Sequence, residues 1–439
     1  LKITCSDLKS NKGSILPKEY IDIRSVAYTS RQIDGKTVWN GAFLQKTIMK
    51  HIPADYTTWI WITFHADSKT KSGLYKGNIK IADSTNKSLT MPVSILVLDI
   101  NIRNPKGSFG YYIPGHFHGP TVGIYHNYAE PGHIAANMPI YFEFLKTRGL
   151  NSMTYYHNYP GLKCVDGHPQ IDFSDIKAFV SAIKKAGLNG DVCYDMRWIE
   201  WWANIAGGKL ESLRKEGKST AGDIGIYGPD GWASLTYGPE AKRLVSEAAV
   251  QLMDLAKKEK WPRLLLLAEE ELYEEGKGAT FEAFTPVLKA VAPNNTYIVD
   301  NEIGYSGQSL DRGEKHNIKI RQYNNWTEEG LAAAKRQNAQ VRSYNYGMSR
   351  CTWGFLQTRL GSDAHHQWAD QWLGPDENNT WVFTQISPKG ITTSVPVETS
   401  HEGLSDLSYT QMLLSLAQKK GSQQLKKANE LVKSITSDV

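Results

Sequence analysis

The chain has 439 residues, and at about 150 residues per domain this length allows two or three domains, or one barrel with a smaller module. Its 41% hydrophobic and 22% charged residues are ordinary for a globular protein that buries a core. The 50 Lys and Arg residues against 45 Asp and Glu leave a net charge of +5. This excess is small and scattered, so neither a nucleic acid nor an anionic membrane is expected as a partner.

The first hundred residues have the composition of β-structure. β-branched and aromatic residues fill Thr57–Phe64, and two further strand patterns follow at Gly77–Asp83 and Leu89–Leu98. Polar turn residues separate these runs, and no helical period of ten residues interrupts them. We therefore predict a small antiparallel β-sandwich as the first domain, residues 1–106.

From residue 107 the pattern changes to alternating helices and strands. The predicted helix–strand units are a helix from Asp172 or Ser174 to Gly187 with strand Gly190–Asp195, a helix from Pro239 with strand Arg263–Ala268, Phe284–Ala292 with Tyr297–Asp300, and Thr327–Gln337 with Val341–Tyr344. This alternation predicts a parallel α/β fold. A TIM-type (β/α)8 barrel over residues 107–439 fits better than a doubly wound sheet, because the ligand loop typical of the latter is missing.

Two segments are assigned from composition. The segment from Ser405 onward has an apolar stripe, and we predict a helix that Gly403 precedes and that packs on the barrel. The segment from Asn204 to Trp232 is rich in Gly, Lys and Ser. We predict that it is a loop over the mouth of the barrel that controls access.

Metals, cofactors and membrane spans are not expected. The four cysteines form no CxxC pair, and His116-Phe-His118 and His365-His366 lack further clustered ligands, so both histidine pairs are expected in loops near a polar pocket. No GxGxxG motif follows a predicted strand, so a nicotinamide cofactor is not expected. No stretch approaches the ~20 apolar residues of a membrane span. Leu1 begins a strand-like stretch without the regions of a signal peptide, so a secreted or periplasmic location would require a leader outside this sequence.

Three consecutive carboxylates, Glu269, Glu270 and Glu271, follow the predicted strand Arg263–Ala268 directly. Active sites of (β/α)8 barrels lie at the carboxyl ends of the strands, and crowded carboxylates repel each other, which favours the protonated form of one of them. A general acid that works near neutral pH needs this property. An acidic helix amino terminus is the structural alternative, but the four preceding leucines favour an active site.

Aromatic, amide and acidic residues recur together at five other predicted strand ends. Abundant Trp and Tyr, 13 and 22 residues, fit either a large core or a partly wet binding surface, and each single Trp is as readily core as subsite. The repeated combination suits the apolar faces and hydroxyls of a sugar, so we predict a carbohydrate site. The candidate substrate-binding residues are Tyr156, His157, Asp195, Arg197, Trp198, Asp300, Asn301, Tyr305, Asn324, Trp326, Tyr344, Tyr346 and Trp353.

Two stretches carry a resemblance to a known family. Trp59–Phe64 followed by Ser72–Ile79 resembles the sandwich that precedes the barrel in glycoside hydrolase family 123. Val397–Tyr409 resembles the R-x-G-x-x-D-x-x-Y signature that closes that barrel, although the signature arginine is missing from Glu398–His401. The resemblance covers most of the chain and implies a glycoside hydrolase.

The resemblance also implies roles for the acidic residues. In the family a Glu protonates the leaving oxygen, and an Asp orients the acetamido group of a β-linked N-acetylhexosamine for attack on the anomeric carbon. The best match places Glu270 at the Asp position and Glu271 at the acid position, while an offset by one gives Glu269 and Glu270. Because a Glu stands where the family has Asp, another sugar or ordinary two-carboxylate hydrolysis stays open. The second acid would then be Asp195, Glu200, Asp300 or Glu302.

The sequence therefore predicts a glycoside hydrolase that cleaves an oligo- or polysaccharide without a metal or cofactor. The altered acidic pair motivates one alternative, a catalytically silent carbohydrate-binding relative. A polysaccharide lyase is the weaker third possibility, because Tyr and His residues at the strand ends supply side chains that lyases use. The sugar, its linkage and the oligomeric state are not set by these patterns.

Overall fold

The computed structural model describes residues 1–33, 36–46, 57–85, 87–114, 133–156, 160–218, 237–268, 277–301, 315–370, 383–387 and 390–436. These residues form two compact units. The first, the sandwich unit, contains residues 1–104 with two short later segments, 383–385 and 390–399. The second, the barrel unit, contains the other described residues.

The sandwich unit is built from antiparallel strands in two sheets. The strands are β1 (Lys2–Cys5), β2 (Leu8–Ser10), β3 (Ile15–Leu16), β4 (Ile21–Ile33), β5 (Lys36–Gln45), β6 (Ile60–Phe64), β7 (Gly73–Ala82) and β8 (Ser88–Val97), with a 3-10 turn at Lys18–Tyr20. One sheet has the order β1-β7-β2-β3, with β8 also paired to β7, and the other has the order β5-β4-β6.

The core of the sandwich unit joins the two sheets. Leu8, Leu16 and Tyr75 of the first sheet and Ile21 of the second are buried in one cluster, against which Ile62 packs. The alternation of apolar and polar residues along the strands produces this shared inner face. The predicted antiparallel sandwich is confirmed.

The barrel unit contains a closed barrel of eight parallel strands. In chain order these are β9 (Ser108–Pro114), β10 (Ser152–Tyr156), β13 (Val192–Asp195), β14 (Leu264–Leu267), β15 (Thr296–Asn301), β16 (Ile320–Asn325), β17 (Gln340–Tyr344) and β18 (Ala364–Gln367). Each of these strands pairs with the next barrel strand in the chain. The last strand, β18, pairs with the first, β9, and this pairing closes the barrel. The predicted (β/α)8 barrel is confirmed.

Two short hairpins and ten helices complete the described residues. The hairpins are β11 (Gly161–Val165) with β12 (His168–Asp172), and β19 (Gln385–Ser387) with β20 (Gly390–Thr392). The helices are α1 (His133–Thr147), α2 (Ser174–Ala186), α3 (Arg197–Lys215), α4 (Pro239–Lys258), α5 (Lys277–Val291), α6 (Glu328–Arg336), α7 (Arg350–Trp353), α8 (Phe355–Leu360), α9 (Val395–Lys420) and α10 (Ser422–Thr436). Within the described ranges, no helix combines the length and apolarity that crossing a membrane requires.

Local sequence explains the elements that position the site. Ile176, Phe179, Val180 and Ile183 of α2 are buried at helical spacing, and Gly187 ends the helix in the left-handed conformation, with φ of 77°. All four leucines of β14 are buried, as a strand between the barrel interior and the surrounding helices requires.

The predicted loop from Asn204 to Trp232 is wrong for residues 204–215. The predicted C-terminal helix is present, but its predicted start after Gly403 is wrong. Residues 204–215 belong to helix α3, where Leu210 is buried, so they are not a loop over the barrel mouth, and residues 219–236 lie outside the described ranges. Helix α9 begins at Val395 and continues through Gly403. A Cβ atom at Gly403 would lie 2.5 Å from the carbonyl oxygen of Arg350 and 2.8 Å from the Cβ atom of Trp353. This glycine therefore allows close approach of α7 and does not stop a helix.

Candidate functional site

An aromatic cluster lies inside the barrel near the carboxyl ends of four adjacent strands. It consists of Tyr112 on β9, Tyr156 at the end of β10, Tyr344 at the end of β17 and Trp368 just after β18. The centre of the Tyr112 ring is 5.4 Å from that of Tyr156, 4.9 Å from that of Tyr344 and 5.7 Å from that of Trp368. These distances suit edge-to-face and tilted aromatic packing.

Exposure divides the cluster into a base and a rim. Tyr112, Tyr156 and Tyr344 are buried, whereas Trp368 is partly exposed. The rings of Tyr156 and Trp368 meet at 87° with centres 4.8 Å apart. The Tyr112 hydroxyl accepts a hydrogen bond of 3.0 Å from Nε2 of Gln322 on β16. The cluster is thus fixed on several sides, and Trp368 is its partly exposed member.

An ion pair adjoins the aromatic cluster. Asp195 ends β13 with a fully buried side chain, and Arg197 begins α3. Arg197 donates from Nε to Oδ1 of Asp195 at 2.8 Å and from Nη2 to Oδ2 at 2.9 Å. The guanidinium lies 4.7 Å from the centre of the Tyr156 ring. Paired hydrogen bonds to a carboxylate orient the guanidinium plane, so Asp195 holds the cation over the ring.

The adjacent histidines His365 and His366 lie in strand β18, so the prediction of loop histidines is wrong for this pair. Nδ1 of His365 is 2.7 Å from the Ser343 hydroxyl, and Nε2 of His366 is 2.8 Å from the Ser152 hydroxyl. Burial lowers the pKa of His365 to about 3. Burial, followed by the positive charge of Arg342, holds the pKa of His366 well below its ordinary value. Both rings are therefore neutral parts of the barrel wall.

Four of the candidate substrate-binding residues, Tyr156, Asp195, Arg197 and Tyr344, come together at this site, and five further candidates occupy other positions in the barrel unit. Trp198 packs edge-on against Trp201, Trp326 lies under the Arg359 guanidinium, Asn324 is partly buried on β16, Tyr346 lies 6.5 Å from His365, and Trp353 is fully buried.

The burial of Trp353 favours a core role. Its Nε1 donates a 3.0 Å hydrogen bond to the carbonyl of Gly347, and its ring lies 4.6 Å from that of His365. No surface of this ring is open to a sugar.

Several candidates cannot be placed. Glu269, Glu270, Glu271, Glu302, Tyr305, His157 and the pair His116 and His118 lie outside the described residues, as do the side chains of Asp300 and Asn301. Their roles stay predictions. Among the residues that the structure does describe, no group of three or more His, Cys, Asp or Glu side chains is placed to hold a metal ion.

Sequence reasoning did not select three residues of the site, Tyr112, Gln322 and Trp368. Trp368 is one of several tryptophans that were as readily assigned to the core as to a binding subsite. For Tyr112 the sequence contains one indication of a buried strand, because Tyr111-Tyr112 lies in a short apolar run. Its contact with Gln322 joins residues 210 positions apart and depends on barrel closure.

Neither a protein-family model nor a curated protein sequence matches this chain. Among solved structures, the chain is similar to a family 123 glycoside hydrolase from Clostridium perfringens, with 12% sequence identity and a TM-score of 0.69. The match covers 99% of this chain and 82% of that chain. The two proteins share a fold, and the predicted resemblance to family 123 is confirmed at the level of the fold.

Two other solved structures match with lower TM-scores. A GH5-4 broad-specificity endoglucanase from Bacteroides salanitronis matches at 10% identity and a TM-score of 0.39, over 71% of this chain and 97% of that one. A GH10 endoxylanase from a sugarcane soil metagenome matches at 9% identity and a TM-score of 0.37, over 69% of this chain and 97% of that one.

Proposed function

We propose that the protein is a glycoside hydrolase whose active site lies at the carboxyl end of the barrel. The observation that carries this proposal is the aromatic cluster, with Arg197 held over Tyr156, at the end of a barrel where active sites of this fold occur. The fold shared with the family 123 glycoside hydrolase supports it. Aromatic faces bind the C–H faces of sugars, and the polar groups beside them bind hydroxyls.

Glu271 is proposed as the general acid and Glu270 as its partner. In the barrel register, Leu267 at the end of β14 pairs with Asp195, and the acidic residues follow Leu267 in the sequence by two to four positions. This order supports a carboxylate group next to the ion pair. Glu271 would protonate the leaving oxygen, and Glu270 would orient the attacking group or attack the anomeric carbon.

The geometry of Asp195 argues against its use as a nucleophile or base. Both of its carboxylate oxygens accept hydrogen bonds from Arg197, and Oδ1 also accepts one of 3.1 Å from the Arg197 backbone N–H. A carboxylate engaged in this way is a poor nucleophile. We assign it a positioning role, and the candidates for a second acid are then Glu200, Asp300 and Glu302.

The remaining candidates are proposed as subsite residues. They are His157, Trp198, Asp300, Asn301, Tyr305, Asn324, Trp326, Tyr344 and Tyr346. The Clostridium perfringens structure is described in terms of glycolipid glycan hydrolysis. Together with the acidic pair, this makes β-linked N-acetylhexosaminides the first substrates to test, ahead of other neutral glycosides.

A panel of chromogenic glycosides, oligosaccharides and polysaccharides with product analysis tests the proposal. Hydrolysis of at least one glycosidic bond is expected, with both products saturated. Saccharide binding without turnover across the panel would contradict it and identify a catalytically silent relative. Products that absorb as unsaturated uronates would identify a lyase.

A further inference from the structure

A set of buried polar side chains lies inside the barrel, closer to the amino ends of the strands than the aromatic cluster. Arg342 on β17 is fully buried. It donates from Nη1 to Oδ2 of Asp191 at 2.7 Å and from Nη2 to Nδ1 of His366 at 3.2 Å. Its Nη2 also lies 3.6 Å from Sγ of Cys193. A charged side chain in the middle of a barrel interior therefore has three directed contacts.

These contacts close into a ring. Because Arg342 donates to Nδ1 of His366, the proton of this neutral imidazole is on Nε2, which donates to the Ser152 hydroxyl at 2.8 Å. The Ser152 hydroxyl in turn donates to the backbone carbonyl of Asp191. We call Arg342, Asp191, His366 and Ser152 the polar floor. It connects β17, β18, β10 and the residue before β13.

Each member of the polar floor lies on the same strand face as a residue of the candidate site. Arg342 is two residues before Tyr344, and His366 is two before Trp368. Ser152 is four before Tyr156, and Asp191 is four before Asp195. Side chains alternate between faces along a strand, so the even spacings place Arg342 with Tyr344 and Ser152 with Tyr156 on the interior side. Trp368 follows β18 and Asp191 precedes β13, and both lie on the interior side through their contacts with Tyr112 and Arg342. The floor thus contacts every strand that presents Tyr344, Trp368, Tyr156 or Asp195.

Net stability does not explain a buried arginine at this place. Barrel interiors are filled mainly with branched aliphatic side chains, and replacing a buried ion pair by apolar groups of similar volume is often neutral or stabilising. Directed hydrogen bonds differ from apolar packing because they fix the relative register and orientation of the strands that carry them.

We propose that Arg342 is a positioning residue that, through the polar floor, holds Tyr344, Trp368, Tyr156 and Asp195 in the arrangement that binds a saccharide. This inference rests on the proposed function only for the identity of the ligand. The positioning itself is a property of the free protein, and it can be measured without any substrate.

The test compares Arg342→Met with Arg321→Met. Arg321 is equally buried on the neighbouring strand β16, but its side chain lies on the face of the strand opposite to that of Gln322. It donates a hydrogen bond to the side chain of Gln337. Both proteins are labelled with 5-fluorotryptophan, and the Trp368 ¹⁹F resonance is identified from Trp368→Phe. Arg342→Met is expected to shift or broaden this resonance, and Arg321→Met is expected to leave it unchanged. A Ser152→Ala variant, which removes only a hydroxyl, is expected to give a smaller shift of the same kind.

Saccharide affinity gives the second readout. Once the panel has identified a bound saccharide, Arg342→Met should weaken its affinity by about tenfold, because sub-ångström displacement of contact groups is costly, while Arg321→Met stays close to wild type. The loss should appear mainly in KM, and Arg342→Lys should restore part of it. An unchanged Trp368 resonance in both Arg342→Met and Ser152→Ala overturns the inference. A shifted resonance in a protein that binds no saccharide contradicts the proposed function alone.

Discussion

The guanidinium of Arg197 lies 4.7 Å from the centre of the Tyr156 ring, and the two hydrogen bonds that it donates to the buried carboxylate of Asp195 hold it there. The three residues come from β10, β13 and the first residue of α3. Their arrangement therefore depends on the pairing of β10 with β13 in the barrel.

Removal of the Asp195 charge tests this arrangement. Asp195→Asn should lower the free energy of unfolding by about 3 kcal/mol, because Arg197 loses the buried partner of its charge. Asp22→Asn is a matched control, since Asp22 and Arg24 have the same sequence spacing but the Asp22 side chain is 32% exposed. A loss of under about 1 kcal/mol is expected there. Urea denaturation measures both, and equal losses would contradict the special role of Asp195.

Removal of the Tyr156 ring should affect binding. Tyr156→Leu is expected to weaken saccharide affinity by about tenfold, because both the ring and its contact with Arg197 are lost. Tyr155→Leu is the control, because Tyr155 points to the other face of β10 and packs against Phe179 of α2. Both variants should be destabilised, but isothermal titration should show weakened binding only for Tyr156→Leu. Weakened binding in both would indicate a general structural effect.

The buried histidines predict a fall in stability at acidic pH. In the unfolded chain a histidine titrates near 6.5, whereas the folded pKa of His365 is lowered to about 3. Unfolding therefore takes up protons below pH 6.5, and the stability present above this pH is lost as the pH falls towards 3. At pH 5 His365 contributes a slope of about 1.4 kcal/mol per pH unit.

Denaturation curves between pH 7 and pH 4.5 measure this slope. Near pH 5, His365→Gln should give a slope shallower than that of the wild type by about 1.4 kcal/mol per pH unit. An unchanged slope in His365→Gln would show that His365 is not held neutral.

Two adjacent glycines of α3 should respond oppositely to alanine. A Cβ atom at Gly207 would lie 2.4 Å from the backbone nitrogen of Ala241 at the start of α4, whereas a Cβ atom at Gly208 meets nothing within 4 Å. Gly208→Ala should therefore stabilise the protein by about 0.5–1 kcal/mol through helix propensity. Gly207→Ala should destabilise the protein by about 2 kcal/mol or more, because the backbone of α3 or α4 must move to make room for the Cβ atom. Thermal unfolding of both variants checks the α3–α4 packing, and shifts of the same sign would contradict it.

Sequence predicted the parts of the fold whose signals are local and periodic. The buried positions of α2 and the leucine run of β14 were predicted because each pattern reports which face of one element is apolar. The site residues Tyr156, Asp195, Arg197 and Tyr344 were selected for a similar reason, since strand ends in a barrel converge.

What the sequence did not predict depends on contacts between distant residues. Gly403 was predicted to precede a helix, and only its distance to Arg350 explains a glycine inside α9. His365 and His366 are polar and therefore favour a loop, but Nδ1 of His365 contacts the Ser343 hydroxyl and Nε2 of His366 contacts the Ser152 hydroxyl inside the barrel wall. Strands β4 and β5 carry mixed polar and apolar residues and pair mainly with each other, so no single run identified them.

The most direct test of the proposed hydrolase is the kinetics of Glu271→Gln on two glycosides that differ only in the leaving group. For a poor leaving group, kcat/KM should fall by about 10²–10⁴-fold, because the departing oxygen needs the proton of the general acid. For an activated aryl leaving group the fall should be smaller, and saccharide affinity should stay near that of the wild type. Wild-type rates of Glu271→Gln on the glycoside with the poor leaving group would contradict the account.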